Sequence, residues 1–389
     1  MRSSRLPLDL TPSPLAAAVA RARAQGRPLI DLTLSNPTRA GLPYPLDLLT
    51  PLADPAGLSY EPEPLGLLSA RRAVADDYAR RGVVVGPQRL CLTASTSEAY
   101  ALLFKLLCDA GDTVLVPRPS YPLFEHLTAL ECVRAVPYDL ELYGAWRLDV
   151  AAIARSIDDR TRAVLVVSPN NPTGSVVQVG ELEALAALCG ERGIALIGDE
   201  VFADYRLDGA GPSPSVLQQA HALAFSLGGL SKSVGLPQVK VAWIGVSGPD
   251  AAVDDALAGL ELVADTFLSV STPAQVALPR LLTHGASVRA AIRERTARNL
   301  AALHRVVPAV PAVTLLTPAG GWCAVLQVPA MLGEEALLMT LLERDGVLVQ
   351  PGYFFDFPRE AFVVVSLLVG PEEFDVGVAR LLARVTEVA

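Results

Sequence analysis

"FSLGGLSKSVGLPQVKVAW", residues 225–243, sets an apolar run, a pair of glycines and the first of two lysines, Lys232, in close succession. The apolar runs on either side have strand length and composition. Upstream, "IALIGDEVF" ends a similar run in Asp199 and Glu200, and "VLVVSPNNPTGS" ends another in Asn170 and Asn171. Between these runs lie stretches with helical periodicity, such as "VGELEALAALCGERG". The pattern extends back to Leu67. "LLSARRAVADDYARRG", "SEAYALLFKLLCDAG" and "PLFEHLTALEC" read as helices, as do residues 150–157. "RLCLTA", "DTVLVP", "RAVPYDL" and "RAVLVVS" read as strands. This alternation predicts an α/β fold with a mainly parallel, seven-stranded type of sheet between helices. Ligands of such sheets sit beyond the carboxyl ends of the strands, where Asn171, Asp199 and Lys232 fall.

The remainder frames this block. "SPLAAAVARARAQG", Ser13 to Gly26, carries a cap and a glycine stop and predicts a helix. "PLIDLTLSNPT" predicts a short strand ending in a turn at Asn36-Pro37, and Gly41 to Gly66 reads as irregular. After Gly248 comes a long helical region. "GGWCAVLQVP", "EEALLMTLLERDG", "VLVQPG" and "AFVVVSLLVG" then predict a smaller α+β unit. The expected division is an N-terminal arm, 1–40, joining the small unit; a large unit, 41–280; and the small unit, 281–389.

With 51% hydrophobic and 19% charged residues, 389 residues supply apolar side chains for two or three packed units. A net charge of −9 is opposite to the basic footprint of a nucleic-acid binder. The longest apolar runs fall short of the about 20 residues of a membrane span. The first residues lack the apolar stretch of a signal peptide, so a cytoplasmic location is expected. Five cysteines are scattered without metal-ligand or disulfide spacing, so no metal site is expected and the thiols read as small buried apolar groups.

Each polar strand end has an ordinary explanation alone: Asn-Asn-Pro as a turn, Asp199 as a helix cap, Lys232 as a surface group. Together, the motifs "LTASTSEAY", "SPNNPTG", "DEVF" and "SLGGLSKSVGLPQVK" stand in the order and spacing of one family. The chain resembles the fold-type I, pyridoxal-phosphate-dependent aminotransferases of class I/II over nearly its whole length. The resemblance implies a Schiff base between Lys232 and the cofactor, and Asp199 against the pyridine nitrogen. It implies Asn171 on the ring's phenolic oxygen and Tyr121 stacked on the ring. It further implies that Ser95, Thr96 and Ser97 hold the phosphate at a helix N-terminus, with Ser231 and Lys240 beside them. Tyr60 would reach the phosphate of a neighbouring subunit, which implies a homodimer with shared sites. Asn36 and Trp322 would line the substrate pocket.

Two positions depart from the family pattern. Phe202 stands where relatives carry a tyrosine that donates to the phenolic oxygen, which predicts a raised Schiff-base pKa unless Tyr205 substitutes. Val364 stands where relatives carry the arginine that clamps the substrate's α-carboxylate. Losing that clamp costs a few kcal/mol unless Arg359 or Arg39 replaces it. The expected activity is transfer of an amino group between an amino acid and a 2-oxo acid. A lyase, racemase or decarboxylase using the same cofactor is the alternative, and a non-catalytic ligand sensor is the reading from another class.

Overall fold

The computed structural model describes residues 2–331 and 333–388. Ser13 caps helix α1 (Pro14–Ala24), accepting from the Ala16 amide at 3.2 Å, and strand β1 (Ile30–Asp31) follows. Past short 3₁₀ turns come α2 (Leu68–Arg80), β2 (Leu90–Thr93), α3 (Thr96–Leu107), β3 (Thr113–Arg118), α4 (Leu123–Leu130), β4 (Arg134–Leu142) and β5 (Trp146–Leu148). The alternation continues through α5 (Val150–Ser156), β6 (Thr161–Val167), α6 (Val179–Arg192), β7 (Ala195–Asp199), β8 (Ala224–Gly229), the single turn α7 (Leu230–Ser233) and β9 (Ala242–Ser247). Helices α8 (Asp250–Phe267), α9 (Thr272–His284) and α10 (Ala286–Val306) lead to β10 (Thr314–Leu316) and β11 (Cys323–Gln327). The chain closes with α11 (Glu334–Thr340), β12 (Val347–Leu348), β13 (Gln350–Pro351), β14 (Phe362–Ser366) and α12 (Pro371–Val388).

The large sheet runs β2-β9-β8-β7-β6-β3-β4-β5. Strands β4, β3, β6, β7 and β8 are parallel, whereas β9 is antiparallel to both neighbours. Seven strands therefore form as expected, and the hairpin strand β5 adds an eighth, antiparallel to β4. The continuous apolar runs serve both faces. Val114, Val116, Leu165 and Ile197 pack into one core, while Leu115, Val164, Val166 and Leu196 pack into the other.

A second, antiparallel sheet runs β10-β11-β14-β13. It shares a core with α1, α10, α11 and α12. The strand expected in "PLIDLTLSNPT" shortens to β1, which pairs in parallel with β12. The Asp31 side chain ends it by accepting from the Thr33 amide (3.0 Å) and hydroxyl (2.5 Å). The helical region after Gly248 breaks at Leu268, whose φ of 45° caps α8 in left-handed geometry. The thiols are less uniformly buried than expected: Cys132 is exposed, and Cys108 and Cys323 are partly so. None forms a disulfide among the described residues.

Candidate active site

Register brings the three polar strand ends together. Val167 pairs with Asp199 and Asp199 with Leu227, so the turns after β6, β7 and β8 open at one end of the sheet. The strand leading to Lys232 needs glycine at 228, because a β-carbon there would clash with the Trp243 indole nitrogen on the neighbouring strand.

Lys232 lies on α7 with its Nζ 4.9 Å from the Trp322 ring centroid and 5.5 Å from that of Phe202. Desolvation in this aromatic enclosure lowers its pKa, while Cys323 and Asp199 pull the other way. Asp199 moves oppositely: burial raises its pKa, against the Tyr100 hydroxyl, which donates to Oδ2 at 2.8 Å, and the Val201 amide, which donates to Oδ1 at 3.3 Å. Tyr100 itself is pushed well above the usual tyrosine range by burial and the adjacent carboxylate, so it remains a donor. Glu200, next in the chain, is consumed elsewhere by the Ser215 and Ser226 hydroxyls and the Val216 amide.

The turn bearing Lys232 is pinned from behind. Tyr205 donates its hydroxyl to the Lys232 carbonyl (2.6 Å) and the Ser233 carbonyl (3.2 Å), and Arg289 Nε donates to the latter at 2.9 Å. Arg289 is anchored to Asp77 at 3.1 Å and Asp204 at 3.5 Å. Tyr205 is thus engaged with backbone. Phe202 and Tyr205 pack edge-on against Trp322, each at 5.2 Å between centroids.

The adjacent asparagines divide their work. Asn170 accepts from the Thr173 amide (3.2 Å) and hydroxyl (2.9 Å) and builds the turn. Asn171 instead lines a cavity of about 160 Å³ together with Tyr121, Cys323, Gln350, Val364 and Ser366. The Cys323 thiol, pushed up to about 12 by burial, donates to Asn171 Oδ1 at 3.5 Å, and the Asn171 amide nitrogen has no partner among the described residues. The cavity therefore lies between the large sheet, which supplies Asn171, and the small one, which supplies Val364.

One turn before Tyr100, α3 begins. Ser95 Oγ accepts from the Glu98 amide at 3.1 Å, leaving the Thr96 and Ser97 amides without partners inside the helix. Because Tyr100 reaches Asp199, this anion-seeking helix end sits on the side of the strand ends.

Other expected residues lie further out. Ser231 makes no side-chain hydrogen bond among the described residues and is partly exposed, and Lys240 is exposed with a left-handed φ of 59°. Tyr60 is 69% exposed. Asn36 caps a surface turn through Thr38, and Trp322 is buried beneath Lys232 and outside the cavity lining. Arg39 and Arg359 are exposed and do not line the cavity; Arg359 lies over the Phe362 ring at 5.5 Å. Sequence reasoning missed Tyr100, Arg289 and Gln350. Tyr100 stands inside the "TSEAY" motif, and its place on the inner face of α3 was the available signal.

A lysine, an aspartate and a helix N-terminus thus converge at the carboxyl end of the parallel strands of this α/β fold. The model of the family "Aminotransferase class I and II" matches residues 54–381, and the chain belongs to that family. Over 385 residues it is 27% identical to an alanine aminotransferase of Mycobacterium tuberculosis, covering 95% of this chain and 88% of that protein. Over 366 residues it is 26% identical to the glutamate-pyruvate aminotransferase AlaA of Escherichia coli, covering 91% and 90%. An alanine aminotransferase structure from Pyrococcus furiosus superposes with a TM-score of 0.87 at 23% identity, over all of both chains. An aspartate aminotransferase variant from Thermus thermophilus gives 0.82 at 26% identity, again over all of both chains. The protein is a transaminase, moving an amino group between an amino acid and a 2-oxo acid. No helix among the described residues is long and apolar enough to cross a membrane, and no group of metal-ligating side chains gathers among them.

Proposed function

We propose that this transaminase holds pyridoxal 5'-phosphate through Lys232 and acts as a cytoplasmic homodimer. The observation that carries the reading is a half-buried amine and a half-buried carboxylate that share one strand-end region without closing an ion pair among the described residues, each desolvated away from its charged form. The donor set fits the cofactor group by group: an amine for its aldehyde, a carboxylate for its ring nitrogen, and free helix amides for its phosphate.

When bound, the cofactor withdraws electrons from the carbon bearing the substrate's amine and makes its proton removable. Lys232 Nζ, biased toward the neutral amine by its enclosure, is the base that takes this proton and returns it. Asp199 holds the ring nitrogen's proton, with Tyr100 sharing the carboxylate's charge. Asn171 offers its amide nitrogen to the ring oxygen, alone where Phe202 offers no donor, and Tyr121 covers the ring face. Thr96, Ser97, Ser231 and Lys240 take the phosphate, with Ser95 building the helix end. Trp322 and Phe202 exclude water around the amine.

Exposed Tyr60 and Leu58, with Leu262 and Phe267, favour a second copy of the chain completing the phosphate site. Unpaired thiols favour a reducing compartment. We take residues 1–40, 41–280 and 281–389 as arm, large unit and small unit. The test is Lys232→Ala. The parent, reconstituted with pyridoxal phosphate, gains a visible absorbance band that borohydride fixes to the peptide containing Lys232, and the variant gains neither band nor adduct. A variant that keeps the borohydride adduct overturns the assignment.

A further inference from the structure

We propose that the chain has a second, non-catalytic site, a cavity behind the turn that carries Lys232, and that this site takes a free α-amino acid as its zwitterion. The inference does not depend on which amine holds the cofactor.

The cavity has a volume of about 350 Å³ and lies where α2, α9 and the first turn of α10 meet. That size suits a small molecule. It shares no lining residue with the cavity of Asn171 and Tyr121. Two guanidiniums reach it in the same way. Arg289, 6% exposed, spends Nη2 on Asp77 at 3.1 Å and Nε on the Ser233 carbonyl at 2.9 Å. Arg80 spends Nε on the same Asp77 oxygen at 3.1 Å and Nη2 on Asp204 at 2.6 Å. Each side chain is thereby fixed along one edge, and the Nη1 of each donates to nothing among the described residues. Two rigid forks, both on the lining and both with spare N–H donors, make a receptor for a planar carboxylate.

The other groups narrow the occupant to a zwitterion. Asp76, Asp77 and Asp204 set three carboxylates against the two guanidiniums, so this cluster carries an excess negative charge. A phosphate dianion would add to that excess, whereas a ligand bringing its own cation offsets it. Asp76, exposed on the lining, has no partner among the described residues and is the seat for an ammonium. Thr283 donates its hydroxyl to the Pro279 carbonyl at 2.9 Å, so its oxygen is left as an acceptor, which again suits an ammonium. Pro279, Leu282 and Ala286 supply an apolar wall for a side chain. A carboxylate, an ammonium and an apolar substituent on one small skeleton are the groups of an α-amino acid. Arg289 would place this occupant one side chain away from the catalytic turn, because its Nε holds the carbonyl of the residue after Lys232.

The experiment titrates borohydride-reduced holoenzyme, in which cofactor and lysine are joined and no amino acid is consumed. L-alanine, L-leucine and L-glutamate are added in isothermal titration calorimetry. The expected result is binding of at least one of the three with a Kd of about 1 mM or tighter. Ala286→Trp, which fills the cavity, and Asp76→Asn, which removes the ammonium's partner, are each expected to weaken that binding at least tenfold. Inorganic phosphate is expected not to compete. Both substitutions are at exposed positions, and an unchanged urea midpoint shows that the variants fold. Absence of binding by all three amino acids overturns the proposal, as does competition by phosphate. Binding by either variant within threefold of the parent also overturns it, since the amino acid would then sit in the catalytic cavity. A failure of the cofactor reading is distinguishable: no reduced adduct forms at Lys232, and the same titration of the untreated protein still decides this site.

Discussion

Tyr100→Phe removes one hydroxyl and leaves the ring in place, so it isolates the bond to Asp199. In the parent that hydroxyl donates at 2.8 Å to a carboxylate whose other recorded donor is the Val201 amide at 3.3 Å. A hydrogen bond to a charged group contributes about 1.5–3 kcal/mol. At 1.36 kcal/mol per pKa unit, its loss moves the Asp199 midpoint upward by about 1–2 units. The direction adds to the shift already present, since burial holds this carboxyl above its usual range. The folded protein therefore keeps the Asp199 proton to higher pH than the unfolded chain does. Stability from this group is lost as pH rises from the unfolded midpoint through the folded one, and the variant extends that loss to higher pH. The assay is a carbon-13 NMR titration of aspartate side-chain carboxyls in the cofactor-free protein, with Asp199→Asn assigning the signal. A midpoint that stays put or falls would refute the electrostatic argument, whatever happened to turnover. In the holoenzyme the same variant should lower kcat more than donor KM, because the carboxylate's charge acts on the chemistry rather than on substrate binding.

Two further substitutions examine the supports of the site. Tyr205→Phe strips one donor from the carbonyls of Lys232 and Ser233, and should cost about 1–3 kcal/mol in urea unfolding together with lower turnover; full stability would show that Arg289 alone suffices to hold the turn. Glu334→Gln replaces a carboxylate serving three amides with a group having one acceptor oxygen, so a loss of about 1.5–3 kcal/mol is expected by the same measurement. Unchanged unfolding would mean that the 353–362 loop holds itself.

Most of the large sheet was legible because its strands are buried on both faces and read as unbroken apolar runs. The polar ends of those runs then marked the site, as with Asp199 after "IALIG". The three-residue strands β5 and β10 carry too few residues for any period to register and exist through pairing with their neighbours β4 and β11, while β1 was expected but its pairing with β12, far along the chain, was not. Contacts set by tertiary packing were equally silent. Nothing in the sequence says that Tyr100 meets a carboxylate 99 positions away, or that Arg289 reaches the carbonyl after Lys232. Val364 was legible as a departure, but whether Arg39 or Arg359 compensates depended on where those side chains go, and both go outward.

The pairing of β1 with β12 has a consequence for how the molecule is made. Arg27 meets the Glu343 carbonyl across 316 positions, and Leu15, Ala18 and Leu32 share a core with Leu381 and Val385. On the ribosome, α1 and β1 emerge early, yet their packing partners α10, α11, β12 and α12 all come from the last hundred residues or so of the chain. Contacts this distant close slowly, so the lobe bearing Val364 is expected to be the last part of the nascent protein to consolidate, after the sheet with Lys232 already stands.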